Sequence, residues 1–432
     1  MSGIAIGISG VIGLVVLIAL RVPVAVALVT VSFVGLAVLL DVNAAWSILT
    51  SVPHEFAASW TLSAVPMFLV MGYVSFKSKM TSNLFNVAKA LFAWMPGSLA
   101  ISSIFACTGF ASVCGSSIAT AAAMGRIAIP EMVRAGYNPN IACGAVAAGG
   151  TIGALIPPSI ILIIYGIFSQ TSVLDLFVGG IGVGLISALG YAAAVLVLSL
   201  VRPDLVPRRL QGTDAPPIGP SLIAAAPVLL LIVIIFGGLF SGIFTATEAG
   251  AVGALSAIVI GAVLRRISLR DVLDSLVETA MTCAGLFIIA IGATMLTRFL
   301  AISGTGTFIL TFVNEMNLGY WQLMIAIALV YLVLGMFMDP IGCLLLTLPI
   351  FLPIARAHDL DPIWFGVLVA KLLEIGMISP PFGLNVFVIR GLVGRMTSLT
   401  GIFKGVLPFL VADIGVIVLM IAVPGLVTIL LH

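Results

Sequence analysis

The sequence predicts an all-α polytopic membrane protein made of two inverted repeats, each with about five transmembrane spans and one re-entrant helical hairpin. Three observations carry this expectation. Of the 432 residues, 62% are hydrophobic and 8% are charged, against roughly 45–50% and about 25% in soluble proteins. One pattern of backbone-breaking residues occurs twice, 223 residues apart: Pro130 falls on Pro353, Pro139 on Pro362, Gly153 on Gly376, and Pro157-Pro158 on Pro380-Pro381. Basic residues gather on one side of the membrane once the spans are laid out, as the positive-inside rule expects.

Taken in order, apolar runs near residues 3 to 20 and 22 to 40 read as two spans. The first lacks a basic start and passes through Arg21 straight into the second, so it reads as a retained span rather than a signal peptide. A loop holding Asp41, His54 and Glu55 follows, then a span from about Leu62 to Phe76. Lys77, Lys79 and Lys89 flank a segment, about Ser82 to Trp94, whose apolar residues recur at helical spacing, suited to the membrane surface. Residues 97–135 fit two crossings or a hairpin with its tip at Cys114 to Ser117. The hairpin is favoured, because irregular backbone at membrane depth is tolerated only where protein or a water-filled cavity covers it. Residues 140–168 form a broken span, interrupted at Gly149-Gly150 and again at Pro157-Pro158, and a span from about Leu174 to Val201 ends the first repeat, 1–201. The proline-rich stretch 202–221 is the linker. The second repeat, 222–432, has spans near 222 to 243, 246 to 264 and 277 to 300, then a surface segment, a hairpin at 320–358, a broken span at 363–393 and a last span near 405 to 431.

An odd number of crossings per repeat makes the second repeat enter the membrane from the opposite side. With the amino terminus outside, 15 of the 18 basic residues face the cytoplasm, leaving Arg298, Arg356 and Lys371. No soluble domain remains between the spans, so neither an extramembrane enzyme nor a nucleic-acid partner is expected. The five cysteines lack CxxC spacing and read as small packing residues.

Paired breaks in corresponding positions of two halves point to a transporter's binding site, because helix starts inside the bilayer favour anions and free carbonyls at helix ends coordinate cations. The first-half candidates are Gly115, Ser116 and Ser117 at the hairpin tip, facing Gly149, Gly150, Thr151, Gly153, Pro157 and Pro158. They offer hydroxyls and carbonyls without a carboxylate, which suits a weakly held Na⁺; the same small residues could simply let helices pack closely. The second half supplies Asp339 at its hairpin tip, then Gly376, Ser379, Pro380, Pro381 and Asn385. Asp339 also fits a helix N-cap before a proline at the first helical position, and both roles can hold together. Lys371 and Glu374, three residues apart on one helix face, can neutralise each other or serve a ligand. Glu248 reads as a cap on the span after it.

The run from Gly109 to Gly166, with GSSIAT, IPEM, AGYNP and GGTIGALIPPS, resembles the signature region of the large membrane subunit of TRAP transporters, the tripartite ATP-independent periplasmic family. FSGIFTATEAGAVGAL, MFMDPIGCLLLTLPIFLPIA, LDPIWFG and IGMISPPFGLNVFV resemble its second-half motifs. The resemblance implies a sodium-coupled importer of an organic acid, such as a C4-dicarboxylate or sialic acid, in the bacterial inner membrane, with a scaffold and an elevator-like transport domain. It implies two partners: a periplasmic substrate-binding protein, and a small membrane subunit expected as a separate polypeptide because the chain begins with its own first span. By resemblance, one sodium region takes Gly115, Ser116, Ser117 and Gly149-Gly150, and the other takes Asp339, Gly376 and Ser379. No cofactor is expected beyond Na⁺ as coupling ion. Cys114 stands where the family usually has serine, Ala246 where it often has proline, and Ser379 where threonine is common. A sodium/proton antiporter is the alternative; it needs a central titrating carboxylate, and Asp339 is the only acid at a hairpin tip.

Overall fold

In the computed structural model, residues 2–207 and 216–429 are described, and they contain helices joined by short connections without a strand. Arg208 and Arg209, placed on the cytoplasmic side above, fall outside the described residues. The first half opens with α1 (Gly3–Ala19) and α2 (Val24–Leu39). The stretch expected as a loop is instead a helix, α3 (Val42–Ala57), started by Asp41, whose carboxylate accepts from the Ala44 N–H at 2.8 Å. Its apolar residues Ala45, Ile48, Val52 and Phe56 recur at helical spacing, a pattern hidden by Pro53, His54 and Glu55. Next come α4 (Ala64–Lys77) and the short amphipathic α5 (Leu84–Phe92). The antiparallel pair α6 (Ser98–Cys114) and α7 (Ser117–Arg134) is followed by α8 (Pro139–Thr151), α9 (Ile160–Ser169) and the long α10 (Val173–Val201).

The second half holds α11 (Ile218–Phe240), α12 (Ala246–Val263) and α13 (Leu269–Ile302). Thus α11 takes in the last residues assigned to the linker, and α13 begins a full two turns before the expected span. At the start of α12, Thr245 and Glu248 form a reciprocal capping box, the role read for Glu248 from sequence. Then come α14 (Thr305–Glu315), α15 (Tyr320–Phe337), α16 (Pro340–Ala357), α17 (Pro362–Gly376), α18 (Leu384–Val393) and α19 (Leu399–Ala422). A short helix, Gly425–Thr428, ends the described chain.

Among the described residues, seven helices are long and apolar enough to cross a bilayer, or eight if α3 and α4 form one bent span. Helix ends recur at the sequence offset: α7 and α16 share both boundaries, and α8 and α17 start at Pro139 and Pro362. Packing partners are exchanged in the same way. Helix α4 lies on α12 as α13 lies on α2, and α8 lies on α19 as α17 lies on α10. The broken helices form the centre. Every residue of α8 from Ile141 to Thr151 and of α17 from Trp364 to Gly376 is buried. The outer helices keep apolar faces exposed, as at Leu230, Val233, Met281 and Val411, and these suit lipid contact.

Candidate functional site

The first hairpin turns at Gly115, whose left-handed backbone (φ +62°) ends α6, and at Ser116, which caps α7 by accepting from the Ala119 N–H at 3.4 Å. The turn is pressed against the break between α8 and α9. A Cβ on Gly115 would lie 2.1 Å from the Pro158 carbonyl oxygen, one on Gly153 would lie 3.1 Å from that of Ser116, and one on Gly150 3.1 Å from that of Ser117. Absent side chains at these positions let two stretches of backbone touch. Thr120 donates to the Ser116 carbonyl at 2.8 Å, and the Ser159 hydroxyl donates to the Ala154 carbonyl across the break.

Gly149-Gly150 does not interrupt the chain. Helix α8 runs through both glycines and ends after Thr151, passing through a 3-10 turn, Ile152–Ala154, into the cis Pro157-Pro158 pair. Gly149 faces Cys107 and Ile104 of α6, and Gly150 faces Ala121 of α7, so close helix packing accounts for the pair.

In the second half, Gly376 ends α17 against α15: a Cβ there would lie 2.5 Å from the Gly335 carbonyl carbon. Ser379 donates to the Ile375 carbonyl at 2.7 Å, the cis Pro380-Pro381 pair is exposed, and Gly383 (φ +43°) returns the chain so that the Asn385 N–H donates to the Met377 carbonyl at 3.0 Å. Asp339 caps α16, accepting from the Gly342 N–H at 2.8 Å. Its side chain is exposed, and among the described residues it makes no hydrogen bond to Gly376 or Ser379. The first region is therefore closely assembled, whereas Asp339 stands apart from the break it was grouped with.

Lys371 and Glu374 do not neutralise each other. Lys371 reaches across to α19, its ammonium 2.5 Å from Asp413 Oδ1, with both side chains fully buried. Tyr191 of α10 donates to the same carboxylate, 2.7 Å from Oδ1 and 2.9 Å from Oδ2, and its hydroxyl lies 3.1 Å from that of Thr151. Glu374 takes a different partner: the Ser117 hydroxyl donates to its Oε1 at 3.1 Å. Its Oε2 is buried without a partner, as is Asn385 Oδ1. Asp413 and Tyr191 were not anticipated from the sequence. The available signal was a lone acid in the apolar run LVADIGVIV, since an ionisable group inside a span is costly unless paired or functional.

Two further cavities, of about 420 and 410 Å³, share Phe168, Gln170 and Thr294 beside the carboxyl-terminal ends of α9 and α13. Arg298 and Arg356 line the first, together with Pro349 and Pro353 of α16. Arg298 pairs with Glu55 at 2.6 Å, and Arg356 donates to the Ser169 carbonyl at 2.8 Å. These are two of the three basic residues that the sequence reading leaves outside the cytoplasmic set.

A family model described as "Tripartite ATP-independent periplasmic transporter, DctM component" matches residues 11–426, nearly the whole chain. The chain belongs to this TRAP large-permease family. It is similar to the C4-dicarboxylate TRAP transporter large permease protein DctM of Pseudomonas aeruginosa, with 34% identity over 86% of each chain. It is also similar to the sialic acid TRAP transporter large permease protein SiaM of Vibrio cholerae, with 33% identity over 85% of each. The isethionate TRAP transporter permease protein DctMQ of Oleidesulfovibrio alaskensis is 31% identical over 94% of this chain and 63% of that protein. Among solved structures, the YdaH transporter of Alcanivorax borkumensis shares the fold with a TM-score of 0.63 at 15% identity, covering 90% of each chain. MtrF of Neisseria gonorrhoeae does so with a TM-score of 0.59 at 17% identity, over 88% of this chain and 85% of that one. As a TRAP large permease with seven or more apolar spans, the chain is a multi-pass inner-membrane transport protein.

Proposed function

We propose that this TRAP permease imports an organic acid, coupled to sodium, after a periplasmic binding protein delivers the substrate to a complex with a small membrane subunit. The contact between the first hairpin tip and the α8–α9 break carries the reading. Helix α8 has only 13 residues, about 20 Å at 1.5 Å per residue, and so ends short of the far side of a bilayer about 30 Å thick. The tip that touches Pro158 then sits at membrane depth and brings backbone carbonyls and hydroxyls together there, the groups that coordinate sodium in broken-helix transporters. Ser116, Ser117 and the α8 end supply the first sodium region; Gly376 and Ser379 supply the second, with Asp339 joining it on closure of the second hairpin. Recurrent helix ends and exchanged packing partners support two inverted repeats, the amino terminus periplasmic, with both hairpins and both broken helices moving as one body. The cavity lined by Arg298 and Arg356 would open to the periplasm and attract a carboxylate. The relatives named for C4-dicarboxylates and sialic acid fit that choice. The antiporter reading is not favoured, since the matching family and the named relatives are TRAP permeases.

The test is uptake of labelled succinate into proteoliposomes holding the permease and its small subunit. Accumulation should require both an inward sodium gradient and the binding protein. Equal accumulation without sodium, or from free succinate without binding protein, would overturn the proposal.

A further inference from the structure

Among the described residues, three acidic or basic side chains are fully buried: Lys371, Glu374 and Asp413. Lys371 and Asp413 cancel, with Tyr191 bonded to the carboxylate. Among the described residues Glu374 has no cation within ion-pair distance; one carboxyl oxygen is bonded to Ser117 and the other is without a partner. A buried carboxyl is neutralised by a proton or paired with a cation, so this centre has a place for one positive charge. Ser117 donates its hydroxyl proton to Oε1, which leaves its own oxygen lone pairs free to accept a cation.

We infer that Glu374 is the anionic ligand of the sodium ion bound at the first hairpin, so that one ion is held jointly by the tip of the first half and the broken helix of the second. The inference rests on the sodium-coupled reading above. It also supplies a coupling device. With Glu374 ionised and no sodium bound, the central cluster carries one net negative charge, which opposes movement through the bilayer; with sodium it is neutral and free to move. Asn385, whose Oδ1 is also unpartnered, joins α18 to α8 by donating to the Ala147 carbonyl at 3.5 Å.

The experiment compares wild type, Glu374→Gln and Glu374→Asp in the purified complex, measuring melting temperature and uptake while sodium chloride replaces choline chloride at constant ionic strength. Sodium should raise the melting temperature of wild type by linkage. Glu374→Gln should lose that rise and need about tenfold more sodium or worse for half-maximal uptake, while melting no lower than wild type in choline. Glu374→Asp should keep the rise with a weaker sodium dependence, and it decides the matter should the glutamine variant not fold. Unchanged sodium dependence in either variant would overturn the inference, as would a changed pH profile alone, which would make Glu374 a proton carrier. No sodium effect on wild type would instead remove the sodium-coupled reading itself.

Discussion

Replacing Lys371 with methionine leaves Asp413 charged and fully buried, with only the Tyr191 hydroxyl to stabilise it. At 2.5 Å and an effective dielectric near 20, the attraction lost is about 7 kcal/mol. Part of that offsets the several kcal/mol that dehydrating each ion costs, so breaking one partner of such a pair typically costs about 3–5 kcal/mol. At about 2 °C per kcal/mol for a chain of this size, melting should fall by roughly 6–10 °C. Asp413→Leu should do similar harm, because it strands the ammonium. The double variant should recover most of the loss, since replacing a buried pair by apolar residues of similar volume is often close to neutral. Tyr191 then keeps Thr151 as a partner at 3.1 Å. Heating followed by size-exclusion chromatography with fluorescence detection reads all four members of the cycle. If the two single losses simply add in the double variant, the pair is not coupled and the account of the central cluster fails.

Gly115→Ala should cut uptake at least tenfold and lower the melting temperature, because its Cβ would lie 2.1 Å from a backbone oxygen in a left-handed conformation costing about 1–2 kcal/mol. Gly109→Ala in the same helix, where a Cβ meets Leu84 at an ordinary 3.5 Å, should be tolerated, and comparing the two by uptake separates turn geometry from helix packing. Arg356→Gln should raise the binding-protein concentration needed for half-maximal uptake of an acid without moving the sodium dependence; an unchanged uptake curve would remove the outer cavity from the substrate path.

Proline and glycine act on their own neighbours, so the helix ends they govern could be read from sequence. The stop at Gly115, and the starts after Gly97 and at Pro139, Pro340 and Pro362, are of this kind. Long-range pairing was not legible. Lys371 and Glu374 looked like partners because three residues separate them, yet their true partners come from helices α19 and α7, far away in sequence. Gly149-Gly150 looked like a break because glycine permits one; the facing Cys107 and Ala121 show that space was the requirement. Helix α3 was missed because its polar half, at His54 and Glu55, resembles a loop until Val52 and Ala45 are seen buried.

The proposed moving site, built by two halves of opposite orientation, is tested most directly by side-specific cysteine labelling. Asn43 and Arg266 are both exposed and lie 223 residues apart. In a background without the five buried native cysteines, a cysteine at Asn43 should react with an impermeant maleimide only from the periplasm, and one at Arg266 only from the cytoplasm. A cysteine at the exposed Asp359 should behave like that at Asn43. Labelling of Asn43 and Arg266 from the same side would contradict the inverted repeat and the transport scheme built on it.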